Sequence, residues 1–259
     1  MKLLYCGFNA FGQLPHVQAT AVCELTEFPQ MSAHDVHISW SYIVILSDAA
    51  SPQDTAQVAC CERHILSVER SGEVSKYCSD SAMRTALESI TSDNITSLSC
   101  GETFDAFATS RGCVYAAMSP VLHLSSDHVT EVACGNEHCL VLTSAGAVYS
   151  WGTGSRGQLG HGDLEKEQER ARQVDMLAGL KVTHIAAGGW HSVALADTGD
   201  IYVWGWNCEG QLGLPSVGCK GRKRRQEEVS VQTEPALLQN VTDVQQVACG
   251  SRHTVLLLR

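Results

Sequence analysis

VACGNEHCLVLTSAGAVYSWGTGSRGQLGHG, from Val132 to Gly162, and IAAGGWHSVALADTGDIYVWGWNCEGQLGLP, from Ile185 to Pro215, are two copies of one unit. Each runs from an apolar residue, Ala and a small residue to a Gly, with a His three positions later. Each then passes through an alternating stretch, a Gly-containing turn and a second alternating stretch that closes in Trp-Gly, and ends in Gly-Gln-Leu-Gly. Self-similarity of this kind marks a repeat architecture, in which one supersecondary unit buries its apolar face only by packing on its neighbours. Working outward, VACGSRHTVLLL (Val247 to Leu258) repeats the opening half, and SCGETFDAFATSRGCVYA (Ser99 to Ala116) repeats it with Phe104 in place of the His. VACCERHILSVERSGEVSKY (Val58 to Tyr77) keeps the His at His64 but has Cys61 for the Gly, and HISWSYIVILSDA (His37 to Ala49) places Tyr42 at the His position. LYCGFNAFGQL (Leu4 to Leu14) reads as the closing half of a unit whose opening half is absent.

Within a unit, Val193 and Leu195 alternate with Ser192 and Ala194, and Ile201 and Val203 with Tyr202 and Trp204. Period two is the signature of a strand, and the spacing predicts four short strands per unit. The Gly-Gln-Leu-Gly segment supplies a tight turn that a Cβ would obstruct. A four-stranded sheet cannot cover both of its own apolar faces, so the units are expected to pack face to face in a ring, which also removes exposed edges. The predicted fold class is all-β, a β-propeller of four-stranded blades.

Three motifs carry a resemblance to a known family: Ala-Cys-Gly-x-x-His at Ala133 to His138, Gly-x-Val-Tyr-x-Trp-Gly at Gly146 to Gly152, and Gly-Gln-Leu-Gly at Gly157 to Gly160. They recur around Gly188, Trp204 and Gly210 to Gly213. In these the chain resembles the regulator-of-chromosome-condensation family, most clearly from Val129 to Pro215 and from Val247 to Leu258. The resemblance implies a seven-bladed propeller closed by pairing N-terminal with C-terminal strands. Six unit openings are traceable here, at Ser39, Cys61, Gly101, Gly135, Gly188 and Gly250. After Leu258 the second half of a unit, and any unit after it, is missing from the family's pattern. Two arrangements compete. Either the strand at Leu4 to Gly7 completes the last unit in a smaller ring, or the chain is truncated and the ring stays open; the second is the favoured expectation. Residues 1–259 are expected to form one domain, with 1–14 as an N-terminal closing strand and 216–234 as a basic loop inserted between blades.

The chain has 259 residues, enough for one all-β domain of this size. MKLLYCGFN lacks the apolar core of a signal peptide, and no run of about 20 apolar residues exists for a membrane helix. These features predict a soluble intracellular protein. Four of the 12 cysteines, Cys60, Cys100, Cys134 and Cys249, share one repeat position that Ala187 fills in another unit, and no Cys-x-x-Cys occurs. That pattern points to packing, so no metal is expected. His64, His138, His191 and His253 also recur once per unit. A propeller channel is too wide to gather them around one ion, so each is expected to be a structural His hydrogen-bonded within its own blade.

Gly152 to Gly157 spells the dinucleotide-binding Gly-x-Gly-x-x-Gly, but Gln158-Leu159-Gly160-His161-Gly162 turns again where that motif requires a helix. No Gly-x-Ser-x-Gly, His-Glu-x-x-His or P-loop is present, so neither an enzyme nor a cofactor is expected.

Charge and loop composition say more about partners. Lys220, Arg222, Lys223, Arg224 and Arg225 lie within six positions, while the whole chain holds 18 Lys and Arg against 28 Asp and Glu. The acidic remainder disfavours direct DNA binding and suits a basic protein partner. An accessible basic run of this length is a candidate nuclear-import signal, with nucleosome contact and a solvated charge run as the alternatives. Units differ most beside the repeat Gly. Asn136 and Glu137, Trp190 and Arg252, together with Trp206, are therefore the partner-binding candidates, since Trp and Arg lead among interface hot spots. Against this stands the plainer role of Trp190 and Trp206 as caps on blade edges.

The resemblance implies a nuclear scaffold or adaptor, acting as a monomer in complex with a chromatin-associated protein and without a membrane. One vertebrate family member further implies a Jumonji-type histone lysine demethylase, or a histone, as that partner and a role in chromosome segregation. The alternatives are guanine-nucleotide exchange on a Ran-type small GTPase, as in the family's founding member, and a truncated product that folds poorly.

Overall fold

The computed structural model describes residues 2–8, 21–27, 35–38, 43–46, 55–60, 64–69, 74–78, 84–87, 94–103, 105–116, 119–123, 127–164, 168–216, 228–239 and 241–259. The strands in chain order are β1 (Lys2–Phe8), β2 (Ala21–Glu27), β3 (Asp35–Ile38), β4 (Ile43–Leu46), β5 (Thr55–Cys60), β6 (His64–Glu69), β7 (Val74–Cys78) and β8 (Arg84–Leu87). They continue as β9 (Ile95–Cys100), β10 (Asp105–Thr109), β11 (Cys113–Ala116), β12 (Ser119–His123), β13 (Val129–Cys134), β14 (His138–Thr143), β15 (Val148–Gly152) and β16 (Gln168–Gln173). The last are β17 (Val182–Ala187), β18 (His191–Ala196), β19 (Ile201–Trp206), β20 (Val231–Leu237), β21 (Val244–Cys249) and β22 (His253–Leu258).

Four consecutive strands make each of the sheets β5 to β8, β9 to β12, β13 to β16 and β17 to β20, every pairing antiparallel. β3 and β4 form a two-stranded sheet. The first strands β5, β9, β13, β17 and β21 lie beside one another in succession, and β3 sits between β21 and β5. This is a propeller with six sheets among the described residues, and the first strand of each ends one residue before a unit opening read from the sequence.

The last sheet has the order β2-β1-β22-β21. β1 pairs with β22 from Lys2↔Leu258 to Gly7↔His253, so the edge of β22 is filled from the other end of the chain. The open ring favoured from the sequence is therefore corrected: the N-terminal strand completes the last unit. β1 is a run with little alternation, and which strand it would pair with is a tertiary outcome that its own residues do not encode.

The core is divided among the seams between sheets. Cys139 and Val141 of β14 face Ala106, Val114, Val129, Val132 and Trp151 in one seam. Leu140 and Leu142 of the same strand face Val148, Val174, Ile185, Ala194 and Trp204 in the next. Val193, Leu195, Ile201 and Val203 then meet Leu212, Val247 and Leu256 in a third. Because a second strand is covered on both faces, all six residues of β14 and of β18 are buried, and their sequences HCLVLT and HSVALA are accordingly apolar on both sides. The recurrent cysteines share this packing, with Cys134 in the first of these seams and Cys100 against Ala59 and Leu66.

Two repeat features have a direct geometric cause. The Trp-Gly that closes the third strand has its Gly at φ +105° in Gly152 and +103° in Gly205. A Cβ there would stand 2.5 Å from the carbonyl oxygen of Glu137 or Trp190, so only Gly allows the chain to pass the turn of its own blade. Residues 168–180 supply the fourth strand β16 and a single 3-10 turn at Asp175–Leu177. β16 reads QERARQ, with three residues exposed and three half-buried, and it shows no apolar alternation to reveal it.

Two of the repeated histidines, His138 and His191, bond between blades, which corrects for them the expectation of bonds within each blade. His138 Nε2 is 2.9 Å from Ser192 Oγ, and His191 Nε2 is 3.0 Å from Thr254 Oγ1, in each case on the second strand of the following sheet. Ser192 Oγ donates its only proton to the carbonyl of Gln158 at 2.8 Å, and Thr254 Oγ1 donates to that of Gln211 at 2.7 Å. Each hydroxyl must therefore accept from the imidazole, which fixes both rings as neutral Nε2–H tautomers. Burial agrees, lowering His138 and His191 to about 3 and His253 to about 4. Gln158 and Gln211 belong to the two Gly-Gln-Leu-Gly turns, and Trp204 Nε1 also donates to the Gln158 carbonyl at 2.9 Å. The His and the Gln-bearing turn of one blade thus grip a hydroxyl on the next.

Nearer the axis the same logic recurs with other residues. Ser97 Oγ accepts from Val132 N at 3.0 Å and Glu131 Oε2 accepts from Ile185 N at 3.2 Å, each across a seam. Burial pushes the Glu131 carboxyl up to about 7, against the opposing pull of that amide.

A candidate interaction site on one rim

The turns that open the units lie side by side on one rim, joined by backbone hydrogen bonds. Thr103 N donates to Asn136 O at 3.2 Å, Asn136 N to Gly189 O at 3.1 Å, and Gly189 N to Ser251 O at 3.0 Å. This belt crosses four successive sheets and fixes where the neighbouring side chains stand. The loops after β15 and β19 arrive on the same rim, tied by Thr153 N to Glu137 O and Trp206 N to Trp190 O, both at 2.8 Å.

On this frame the five partner-binding candidates come together. The Trp190 and Trp206 rings meet edge to face, centroids 5.7 Å apart at 90°. Trp190 Nε1 donates to Glu137 Oε2 at 3.3 Å. Arg252 lies 5.2 Å from the Trp206 centroid and 3.7 Å from Glu209 Oε1. Asn136 contributes the backbone link beside them. Both Trp side chains are half-buried because they cover each other and a guanidinium sits on them.

That guanidinium is Arg156, which sequence reasoning missed. It stands 4.1 Å from the Trp190 centroid and 5.0 Å from that of Trp206. Glu209 was missed as well. The signal was available: both residues immediately precede the Gly of Gly-Gln-Leu-Gly, so one repeat position changes charge between adjacent units. Cation–π contacts of this kind contribute about 0.5–2 kcal/mol each.

The import candidates Lys220, Arg222, Lys223, Arg224 and Arg225 lie outside the described residues, but both stems of their insertion are described. Val229 N donates to Pro215 O at 2.8 Å, closing the base. Asn207, fully buried beside Trp206, gives Nδ2 to Val229 O at 2.9 Å and to Leu214 O at 3.2 Å, and takes Leu212 N on Oδ1 at 2.9 Å. Asn207→Ala leaves these carbonyls unpaired and is expected to cost about 2 kcal/mol, read as a lower denaturant midpoint with unchanged slope. An unchanged midpoint would show that Asn207 does not hold the stems.

Among the described residues no group of three or more His, Cys, Asp and Glu is placed to hold a metal ion. Gly152 to Gly157 leads into turns at Gly160 and Gly162, both at positive φ, with no helix after it. A ring of clasped antiparallel sheets defines a β-propeller. Residues 145–195 and 198–257 match the regulator of chromosome condensation (RCC1) repeat, and a second RCC1 repeat profile matches 129–158 and 182–211. Over these residues the chain carries RCC1 repeats.

It is 42% identical over 136 residues to mouse RCC1 domain-containing protein 1, a match covering 42% of this chain and 36% of that protein. The chain thus spans about a third of the length of that curated relative. Among solved structures, Prp20p, the RCC1 protein of Saccharomyces cerevisiae, superposes with a TM-score of 0.69 at 18% identity over 100% of this chain and 78% of that chain. Human WBSCR16 does so with a TM-score of 0.66 at 20% identity, over 99% and 81%. At these identities the structures speak for the fold.

Proposed function

We propose that this propeller is a non-enzymatic adaptor whose rim around Trp190, Trp206, Arg156 and Arg252 grips a partner protein in the nucleus. The observation that carries the reading is the convergence of these four side chains, from three successive sheets, on one rigid backbone belt. Half-buried Trp and Arg held in fixed rotamers lose little entropy on binding and make the hot spots of protein interfaces. The RCC1 repeats support a binding or exchange role, and the yeast protein Prp20p is described for its binding to Gsp1p and histones. A chromatin-associated partner, of which a histone demethylase or a histone is the specific form, fits this setting. The run from Lys220 to Arg225 would bring the adaptor into the nucleus.

The test is affinity capture from nuclear extract with the parent and with Trp190→Ala, Trp206→Ala and Arg252→Ala. Loss of one and the same partner in all three is the expected result, each truncation weakening binding by about 2 kcal/mol or more. Retention by all three would remove the rim from the interface. Replacing Arg222, Lys223, Arg224 and Arg225 with Ala is expected to shift a tagged protein to the cytoplasm, and unchanged nuclear accumulation would refute import by this run. Accelerated nucleotide release from a Ran-type GTPase would replace the adaptor reading by exchange activity.

A further inference from the structure

We propose that Arg156 is a carboxylate receptor: held in the corner between Trp190 and Trp206, it binds an Asp or Glu side chain in an acidic segment of the partner protein. This rests on the reading of the rim as a protein-binding surface and names the chemistry it selects.

The two rings stand at 90° to each other, and the guanidinium lies against both, 4.1 Å and 5.0 Å from their centroids. Two rings at right angles cannot both lie on the flat face of one guanidinium, but its five N–H donors exceed what one ring met edge-on can take, and the others are directed elsewhere. Among the described residues no carboxylate pairs with Arg156. Other arginines do find acids: Arg252 has Glu209 at 3.7 Å, and Arg172 has Asp163 at 3.7 Å and Asp175 at 3.9 Å.

The repeat itself shows what is missing. Glu209 holds the position in its unit that Arg156 holds in the preceding one, and Arg252 holds the turn position of Trp190. At the later seam the acid and the guanidinium are both supplied by the chain and meet each other. At the earlier seam the same two positions supply a guanidinium and an aromatic wall, with no acid. A partner would supply it in trans.

Carboxylate is favoured over phosphate by the surroundings. A planar guanidinium edge matches a planar carboxylate through two parallel hydrogen bonds. Glu137, which takes the Trp190 Nε1 proton, and Glu209 stand within the same cluster and would repel a dianion more than a single negative charge. The net charge of −10 over the chain points to a cationic partner, but it is the local arrangement that decides which group docks at this corner. Screening over about 8 Å at physiological ionic strength keeps distant carboxylates out of the balance.

The test uses the full chain and three fluorescent peptides that alternate Gly with Asp, Asn or phosphoserine, read by anisotropy at low ionic strength. The Asp peptide is expected to bind at least about tenfold more tightly than the Asn peptide, with affinity falling as salt rises. Arg156→Ala and Arg156→Gln are expected to abolish that preference. Arg156→Lys, which keeps the charge but loses the planar fork, should lose several-fold. Thermal melting of each variant alongside the parent shows that the fold is intact.

Equal binding of the Asp and Asn peptides, no binding of the Asp peptide, an unaltered preference in both Arg156→Ala and Arg156→Gln, or much tighter binding of the phosphoserine peptide would each overturn the proposal. Should partner capture depend on Trp190 and Trp206 while the Asp peptide is ignored, the adaptor reading survives and the carboxylate assignment falls. Should neither occur, the adaptor reading itself fails.

Discussion

Lowering the pH from 7 to 5 is expected to remove about 4 kcal/mol of this protein's stability. His138, His191 and His253 are buried and neutral, with values near 3, 3 and 4 against the usual 6.5. A lowered folded value means that the unfolded chain takes up protons the folded chain refuses. Stability is therefore complete above about 6.5 and drains away as pH falls toward the folded values. Each such His costs about 1.4 kcal/mol per pH unit in that window.

Glu131 works in the opposite direction. Its carboxyl is raised from 4.5 to about 7, so it favours the folded state below 4.5 and loses that contribution as pH rises through 7. Between 4.5 and 6.5 three protons favour unfolding and one opposes it, a net loss of about 3 kcal/mol per unit. His161, half-buried and also lowered, adds in the direction of the three. From pH 6.5 to 5 this removes about 4 kcal/mol, a large part of a total stability of about 5–15 kcal/mol. Denaturant midpoints measured from pH 7.5 to 5 check this. A flat profile would mean that the imidazoles are not sealed between the blades, while His191→Gln, which keeps an N–H for Thr254, should flatten the slope by about one proton.

Trp204→Ala is expected to be the most damaging single substitution in the second half of the chain. The side chain is fully buried in the seam lined by Leu140, Leu142, Val148, Val174 and Ala194, and its Nε1 donates to Gln158 O of the preceding blade. Removing it leaves a cavity and a partly unsatisfied carbonyl, a loss of about 3–5 kcal/mol. Trp204→Phe retains most of the packing and gives up the hydrogen bond, so about 1–2 kcal/mol is expected. Chemical denaturation separates the two. If Phe proves as damaging as Ala, the hydrogen bond to the turn outweighs the packing. If both are mild, the seam repacks and the clasp does not depend on this indole.

How much of this was legible in the sequence follows from the physics of each element. The unit openings, the four strands per unit and the shared rim positions of Asn136, Glu137, Trp190 and Arg252 were readable because repetition converts sequence offset into position in space. The hydrogen-bonding direction of His138 and His191 was not. His191 is followed by Ser192 and His138 by Cys139, and neither neighbour tells whether the bond runs within a blade or across a seam; only packing decides.

Arg156 escaped because it carries no signal beyond charge until Trp190 and Trp206 are seen to converge on it. Strand β16 escaped because its polar run QERARQ lies on the outer edge, where no face needs to be apolar. The pairing of β1 with β22 depends on contacts between residues at opposite ends of the chain, which no local pattern records.

The pairing of the first strand with the last also sets how the molecule responds to a pull. Lys2 lies opposite Leu258, and the ladder runs inward from there to Gly7 and His253. Tension applied to these two ends loads the outermost rung first and then each rung in turn, as in opening a zip, whereas strands drawn along their lengths would resist together. A tether at both ends would therefore loosen the ring at this sheet first and leave the clasped seam around His138 bearing no load until it had peeled away.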